Sequence, residues 1–162
     1  ATLSVFAGAI WRCKGLVMEE FATEKTMRSE SKVGRCDITF RVERKVFLGE
    51  AKQQWPLLTN ENARGNLEET NRVIKQACRE SLHTKDLRAT HLGIVFITPR
   101  IHNGKRRFLE DFLLGYVNTL SARKDITLAW QFPKWARDLH SLARSFENYI
   151  YPGVILVMKK AS

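Results

Sequence analysis

Residues 34–54, GRCDITFRVERKVFLGEAKQQ, constrain the fold of this chain more than any other stretch. Ile38, Phe40 and Val42 alternate with Asp37, Thr39 and Arg41. After Glu43-Arg44-Lys45 the alternation resumes, with Val46, Leu48, Glu50 and Lys52 on one face and Phe47, Gly49 and Ala51 on the other. Strand side chains repeat every two residues. The stretch therefore reads as two strands joined by a tight charged loop, with Asp37 at the start of the first. Glu50 and Lys52 point the same way from the second, roughly 7 Å apart along it. Charges are seldom buried unless paired or bound to metal. Two acids and a lysine in otherwise apolar strands therefore need compensation.

The rest of the chain supplies a sheet around this hairpin. Leu3, Phe6, Ile10, Cys13, Val17 and Phe21 recur at spacings of three and four, which predicts an amphipathic helix over residues 3–24. Glu20 and Glu24 would then look toward whatever that helix packs on. A short edge strand is expected near Thr26–Ser31, before a turn at Gly34. Trp55-Pro56 stops the second hairpin strand. A helix is expected over 62–82, with Lys75 and Arg79 on its polar face. His91–Thr98 reads as a central strand covered on both faces. Asn103-Gly104 marks a turn before Lys105-Arg106-Arg107. Helices are expected over 108–120 and 133–148, and strands over 126–132 and 154–158. With no repeat, low-complexity tract or linker, the chain reads as a single domain over residues 1–162. The fold class is α/β, a mixed sheet with helices on both faces.

Composition narrows the partners. The 162 residues carry a net charge of +10, a surplus that favours nucleic acid on so small a domain. No cluster of basic residues sits on a strongly apolar helix, which argues against a membrane surface, and no run approaches the ~18 apolar residues of a span. Cys13, Cys36 and Cys78 lack CxxC spacing and read as reduced, mostly buried thiols. The four histidines show no ligand spacing, which disfavours zinc. The first residues show neither an initiator Met nor a signal-sequence pattern. The expectation is a processed or excised domain working inside a cell, in cytoplasm or nucleus, or delivered into a target cell as an effector.

At the hairpin, Asp37 and Glu50 are hard oxygen ligands of the kind Mg²⁺ or Mn²⁺ takes, and the carbonyl of Ala51 could add a third. Lys52 is placed to orient a water or to stabilise charge on a phosphate. A carboxylate from Glu20 or Glu24 could complete the shell.

GRCDITF…VFLGEAKQ resembles the core of the PD-(D/E)xK nuclease superfamily, the restriction-endonuclease-like fold. Asp37 matches its first signature acid, with Cys36 where the family often has proline, and Glu50 and Lys52 match its E-x-K signature. The resemblance implies a core of helix, three-strand meander, helix and strand over residues 3–98, with extra helices C-terminal to it. It implies a divalent-metal-dependent phosphodiesterase using Mg²⁺ or Mn²⁺, with Asp37, Glu50 and Lys52 catalytic and Glu20 assisting. DNA is favoured over RNA as the partner, and no base-reading motif supports sequence specificity. Arg35, Lys75, Arg79, Arg106 and Arg107 are candidate backbone contacts, and Gln54 or Gln53 a candidate substrate contact. An RNase of the same fold and a non-catalytic nucleic-acid-binding module are the alternatives, and a homodimer or an inhibitor protein is a further partner to consider.

Overall fold

A computed structural model of the chain describes residues 2–27, 30–59, 63–86, 88–134 and 148–162. The protein is α/β, with a mixed six-stranded sheet in the order β1-β2-β3-β4-β8-β6. The strands are β1 (Leu16–Met27), β2 (Glu30–Val42), β3 (Lys45–Gln54), β4 (Thr90–Ile97), β6 (Thr127–Gln131) and β8 (Val154–Lys160). A small pair, β5 (Ile101–His102) and β7 (Tyr149–Ile150), stands apart from it. The helices are α1 (Thr2–Arg12), α2 (Ala63–Ser81) and α3 (Leu109–Ser121), with a 3₁₀ helix over Asn103–Phe108. The helix expected over 133–148 falls largely on residues 135–147, outside the described residues.

The helix expected over 3–24 is instead a helix and a strand. α1 ends in a Schellman turn: Lys14 adopts φ 59° and the Gly15 amide donates to the Ile10 carbonyl at 3.0 Å. Gly15 is needed there, because a Cβ would lie 2.6 Å from Ile10 Cγ2 and 2.9 Å from the Arg41 carbonyl. Beyond the turn, Val17 and Phe21 fit a strand as well as a helix, since a spacing of four returns to the same face under both periods. Exposure along β1 alternates, with Val17, Glu19, Phe21, Thr23 and Lys25 half-buried and Leu16, Met18, Glu20, Ala22 and Glu24 exposed.

β2 consequently has a long antiparallel partner that the sequence does not suggest. β1 pairs antiparallel with β2 from Leu16↔Arg41 to Met27↔Glu30. The edge strand expected at Thr26–Ser31 falls where the paired strands end, with Thr26↔Ser31 and Met27↔Glu30 as partners and residues 28–29 outside the described residues; Gly34 lies inside β2 and not in a turn, and Asp37 lies mid-strand and not at a strand start. The second hairpin matches expectation, running from Val42↔Lys45 to Ile38↔Gly49.

The chain gathers into two compact units. The first holds residues 1–52, 73–95 and 158–162; the second holds 53–72 and 96–157. In the first, Phe6 of α1 meets Phe40 edge to face at 5.8 Å, and Phe40 stacks on Phe47 at 4.8 Å. Ile38, Gly49 and Ile94 share that face, for a Cβ on Gly49 would meet Ile94 Cδ1 and Ile38 Cγ2. Gly93 points the other way, against the backbone of Ala77 and Cys78 in α2. Strand alternation thus puts α1 and α2 on opposite faces, and the face carrying Leu48, Glu50 and Lys52 lies toward α2. The second unit packs around Leu109, Leu113, Tyr116, Val117 and Leu120 of α3, all buried. Burial pushes the Tyr116 hydroxyl up to about 12, against a hydrogen-bond partner in Thr70 Oγ1 2.6 Å away.

Gly93 allows α2 its close approach, because a Cβ would stand 2.6 Å from the Cys78 amide nitrogen and 2.7 Å from its sulfur. Gly93→Ala should lower the unfolding free energy by about 1–3 kcal/mol, read as a shifted midpoint in chemical denaturation. An unchanged midpoint would contradict this packing.

Candidate active site

The antiparallel ladder between β2 and β3 opens where Asp37 and Glu50 stand. Its last pair is Ile38↔Gly49, so the next position sets Asp37 across from Glu50. There the amide of Ala51 donates to Asp37 Oδ2 at 2.8 Å, a side-chain acceptor in place of a ladder carbonyl. The Cys36 thiol takes part in the same opening, lying 3.4 Å from the Ile38 carbonyl and 3.6 Å from that of Gly49. Burial pushes this thiol upward in pKa, so it serves as a small apolar side chain with a weak donor. On the other side of β2 the register passes from Glu19↔Ile38 to Phe21↔Cys36, and the residue between, Glu20, adopts φ 48°. A glutamate in the left-handed region is uncommon, and here it sits opposite Asp37.

Glu50 is buried, with its side chain 5% exposed, and its Oε1 is ion-paired with Lys25 Nζ, itself 16% exposed. Burial raises the Glu50 pKa; the hydrogen bond from Lys25 opposes that rise and the negative charge of Asp37 adds to it. Two carboxylates therefore share a poorly solvated site. Lys52 Nζ pairs with Glu80 Oε2 of α2, and Gln76 Nε2 donates to the other Glu80 oxygen at 2.8 Å. Burial works to raise the Glu80 pKa, but the hydrogen bonds from Lys52 and Gln76 outweigh it and hold the group below its ordinary value. The result is an array of alternating charge, in which Lys25, Glu50, Lys52 and Glu80 each have an opposite neighbour and Asp37 is anchored by a backbone amide.

Lys25 and Glu80 were not legible as site residues from the sequence. Lys25 reaches Glu50 because the end of β1 is tied to the loop after α2, through the antiparallel bridge Lys25↔Thr84 and the Lys85 amide donating to the Glu24 carbonyl at 3.3 Å. Only the reading of residues 16–27 as a strand would have carried Lys25 to the far end of β1, beside the loop after α2. For Glu80 the available signal was its position one turn after Gln76 on the α2 side that meets β3.

The remaining predicted residues lie elsewhere. Glu20 is a surface residue, its side chain 62% exposed and paired with Arg35. It belongs to a strand and not to a helix flank, and its carboxylate is taken by Arg35. Glu24 is exposed as well. Gln54 is buried in the second unit, where its Oε1 accepts from Thr70 Oγ1 at 2.8 Å; its amide serves packing, and Gln53 is the exposed one of the pair. Lys75 and Arg79 are exposed on α2. Arg106 and Arg107 are exposed on the 3₁₀ helix, with Arg107 over the Phe108 ring at 4.7 Å.

Among the described residues, no three His, Cys, Asp or Glu side chains form a metal-ligating group. The oxygens expected from the sequence to hold a metal are the Asp37 and Glu50 carboxylates, which the register sets across from each other, and the Ala51 carbonyl. All are hard oxygens, a set that fits Mg²⁺ or Mn²⁺, which complete their shells with water and phosphate oxygens. The chemistry of the position agrees: two acids in a poorly solvated site favour a cation between them. Among the described residues, no helix is long and apolar enough to cross a membrane. No family model, curated protein or solved structure matches the chain.

Removing the Lys25 ammonium leaves Glu50 buried without its counter-charge. Lys25→Met should destabilise the protein by about 3 kcal/mol in metal-free buffer, measured by urea denaturation. Glu69→Gln, which breaks the exposed Glu69–Arg72 pair on α2, should leave the midpoint in place. Equal midpoints for the two variants would contradict the charge array.

Proposed function

We propose that this chain is a divalent-metal-dependent nuclease of the PD-(D/E)xK type that hydrolyses phosphodiester bonds in DNA. The observation that carries the reading is the hydrogen bond from the Ala51 amide to Asp37 Oδ2 at the point where β2 and β3 part, with buried Glu50 alongside. It draws into one place an aspartate and an E-x-K motif that lie 13 residues apart in sequence. The +10 net charge supports a polyanionic substrate.

Asp37, Glu50 and the Ala51 carbonyl would hold Mg²⁺ or Mn²⁺. The bound ion would polarise the phosphate and lower the pKa of a water. Asp37 presents a fixed oxygen, because the Ala51 amide holds its carboxylate in one orientation. Glu50 excludes water by its burial and supplies the second charge. Lys52 brings an ammonium to the same strand face, where it can bind a non-bridging phosphate oxygen or orient the attacking water through Nζ. Glu80 and Gln76 hold Nζ in position until substrate arrives. Exposed Lys75 and Arg79 on α2, and Arg106 and Arg107 on the 3₁₀ helix, offer phosphate contacts whose contribution falls as salt rises. Arg35 belongs to this group less readily, since Glu20 already neutralises it. DNA is preferred to RNA on the superfamily resemblance alone.

The test is cleavage of plasmid, linear and single-stranded DNA, and of RNA, in Mg²⁺, Mn²⁺ or EDTA. Cleavage should require the metal. Lys52→Met should reduce the single-turnover rate about 10²–10³-fold, and Asp37→Asn should abolish cleavage, with the circular dichroism of both variants unchanged. Activity that persists in EDTA, or that survives Asp37→Asn, would refute the proposal.

A further inference from the structure

We infer that Lys25 is a built-in counter-ion that competes with a divalent cation for Glu50. The inference rests on the metal reading of Asp37, Glu50 and Ala51 given above. Lys25 does not belong to the hairpin carrying those residues: it arrives from the far end of β1, and the chain takes specific measures to bring it there. The antiparallel bridge to Thr84 and the bond from the Lys85 amide to the Glu24 carbonyl pin its backbone. Its aliphatic stem lies over Gly34, where any Cβ would come within 2.8 Å of Lys25 Cδ and 3.0 Å of Cγ. The ammonium then ends on Glu50 Oε1, with only 16% of the side chain exposed.

A lysine held this way neutralises one of two carboxylates crowded into a poorly solvated site. It also occupies an oxygen that a divalent ion between Asp37 and Glu50 would take. An ammonium and a divalent cation a few ångströms apart repel strongly where water screens poorly, so the two cannot share Oε1. Glu80 gives the displaced ammonium an acceptor. Its carboxylate already feels the Lys25 charge as well as that of Lys52. Metal entry would thus move Lys25 from Glu50 toward Glu80, and loosen Glu80's hold on Lys52 at the moment Lys52 is needed by a phosphate. In the structure both side chains are occupied, Glu50 by a cation and Lys52 by an anion.

Isothermal titration of MnCl₂ into the full 162-residue chain tests this without any measurement of cleavage. Lys25→Met should bind Mn²⁺ about tenfold or more tightly than the unmodified protein. Lys25→Arg should bind it more weakly, because a guanidinium grips a carboxylate with two hydrogen bonds. Equal affinity of the unmodified protein and a folded Lys25→Met would overturn the inference and leave the metal reading intact. If Lys25→Met does not fold, Lys25→Arg decides, and affinity unchanged or increased relative to the unmodified protein would overturn the inference. Absence of Mn²⁺ binding in all three proteins, or binding that Asp37→Asn leaves intact, would overturn the metal reading itself and the competition with it.

Discussion

The site depends on one hydrogen bond, from the Ala51 amide to the carboxylate of Asp37. A β-ladder normally spends every inward amide on a neighbouring carbonyl. Here the ladder between β2 and β3 ends at Ile38↔Gly49, and a side chain takes the next available amide. The exchange costs little, since the amide remains satisfied, but it turns Asp37 toward β3 and fixes it. Glu50 then has an acid beside it and α2 on its face of the sheet, and it cannot be solvated. Lys25 and the remaining members of the charge array answer that constraint.

Much of the fold follows from periodicity. The second hairpin, α2, β4, α3 and β8 lie where alternation and the three-to-four spacing put them, because each carries an unambiguous period over enough residues. Residues 3–24 went differently because Cys13, Val17 and Phe21 are spaced by four, a step that both a helix and a strand return to the same face. The break was written in Lys14-Gly15, whose left-handed lysine and crowded glycine close the helix, but a lysine at that position carries no sequence signal for a positive φ. The strand also decides which charges face the site. Glu20 and Glu24 looked like helix-flank acids, whereas on β1 they occupy the exposed face and the neighbouring Lys25 is the residue that turns inward.

Asp37, Glu50 and Lys52 stand out in the sequence because their chemistry contradicts their setting: acids and a lysine in apolar strands. Their partners were not, because nothing local marks Lys25 or Glu80 as exceptional. Each is an ordinary charged residue until the sheet and α2 bring it within reach of an opposite charge. Gln54 shows the converse. Its alternation with Glu50 and Lys52 placed it on their strand face, and burial against Thr70 used its amide for packing instead. Alternation identifies a face; which residues along that face are covered depends on where α2 and α3 lie, and those contacts are not written into the strand.

The central claim is that the ladder opening between Asp37 and Glu50 is a cation site. A crystal structure of the protein grown in MnCl₂, with anomalous scattering collected above the manganese edge, tests it most directly. The account predicts one strong anomalous peak within about 2.0–2.4 Å of a carboxylate oxygen of Asp37, an oxygen of Glu50 and the carbonyl of Ala51, with Lys25 withdrawn from Glu50. Manganese bound only elsewhere, with Lys25 still seated on Glu50, would contradict it.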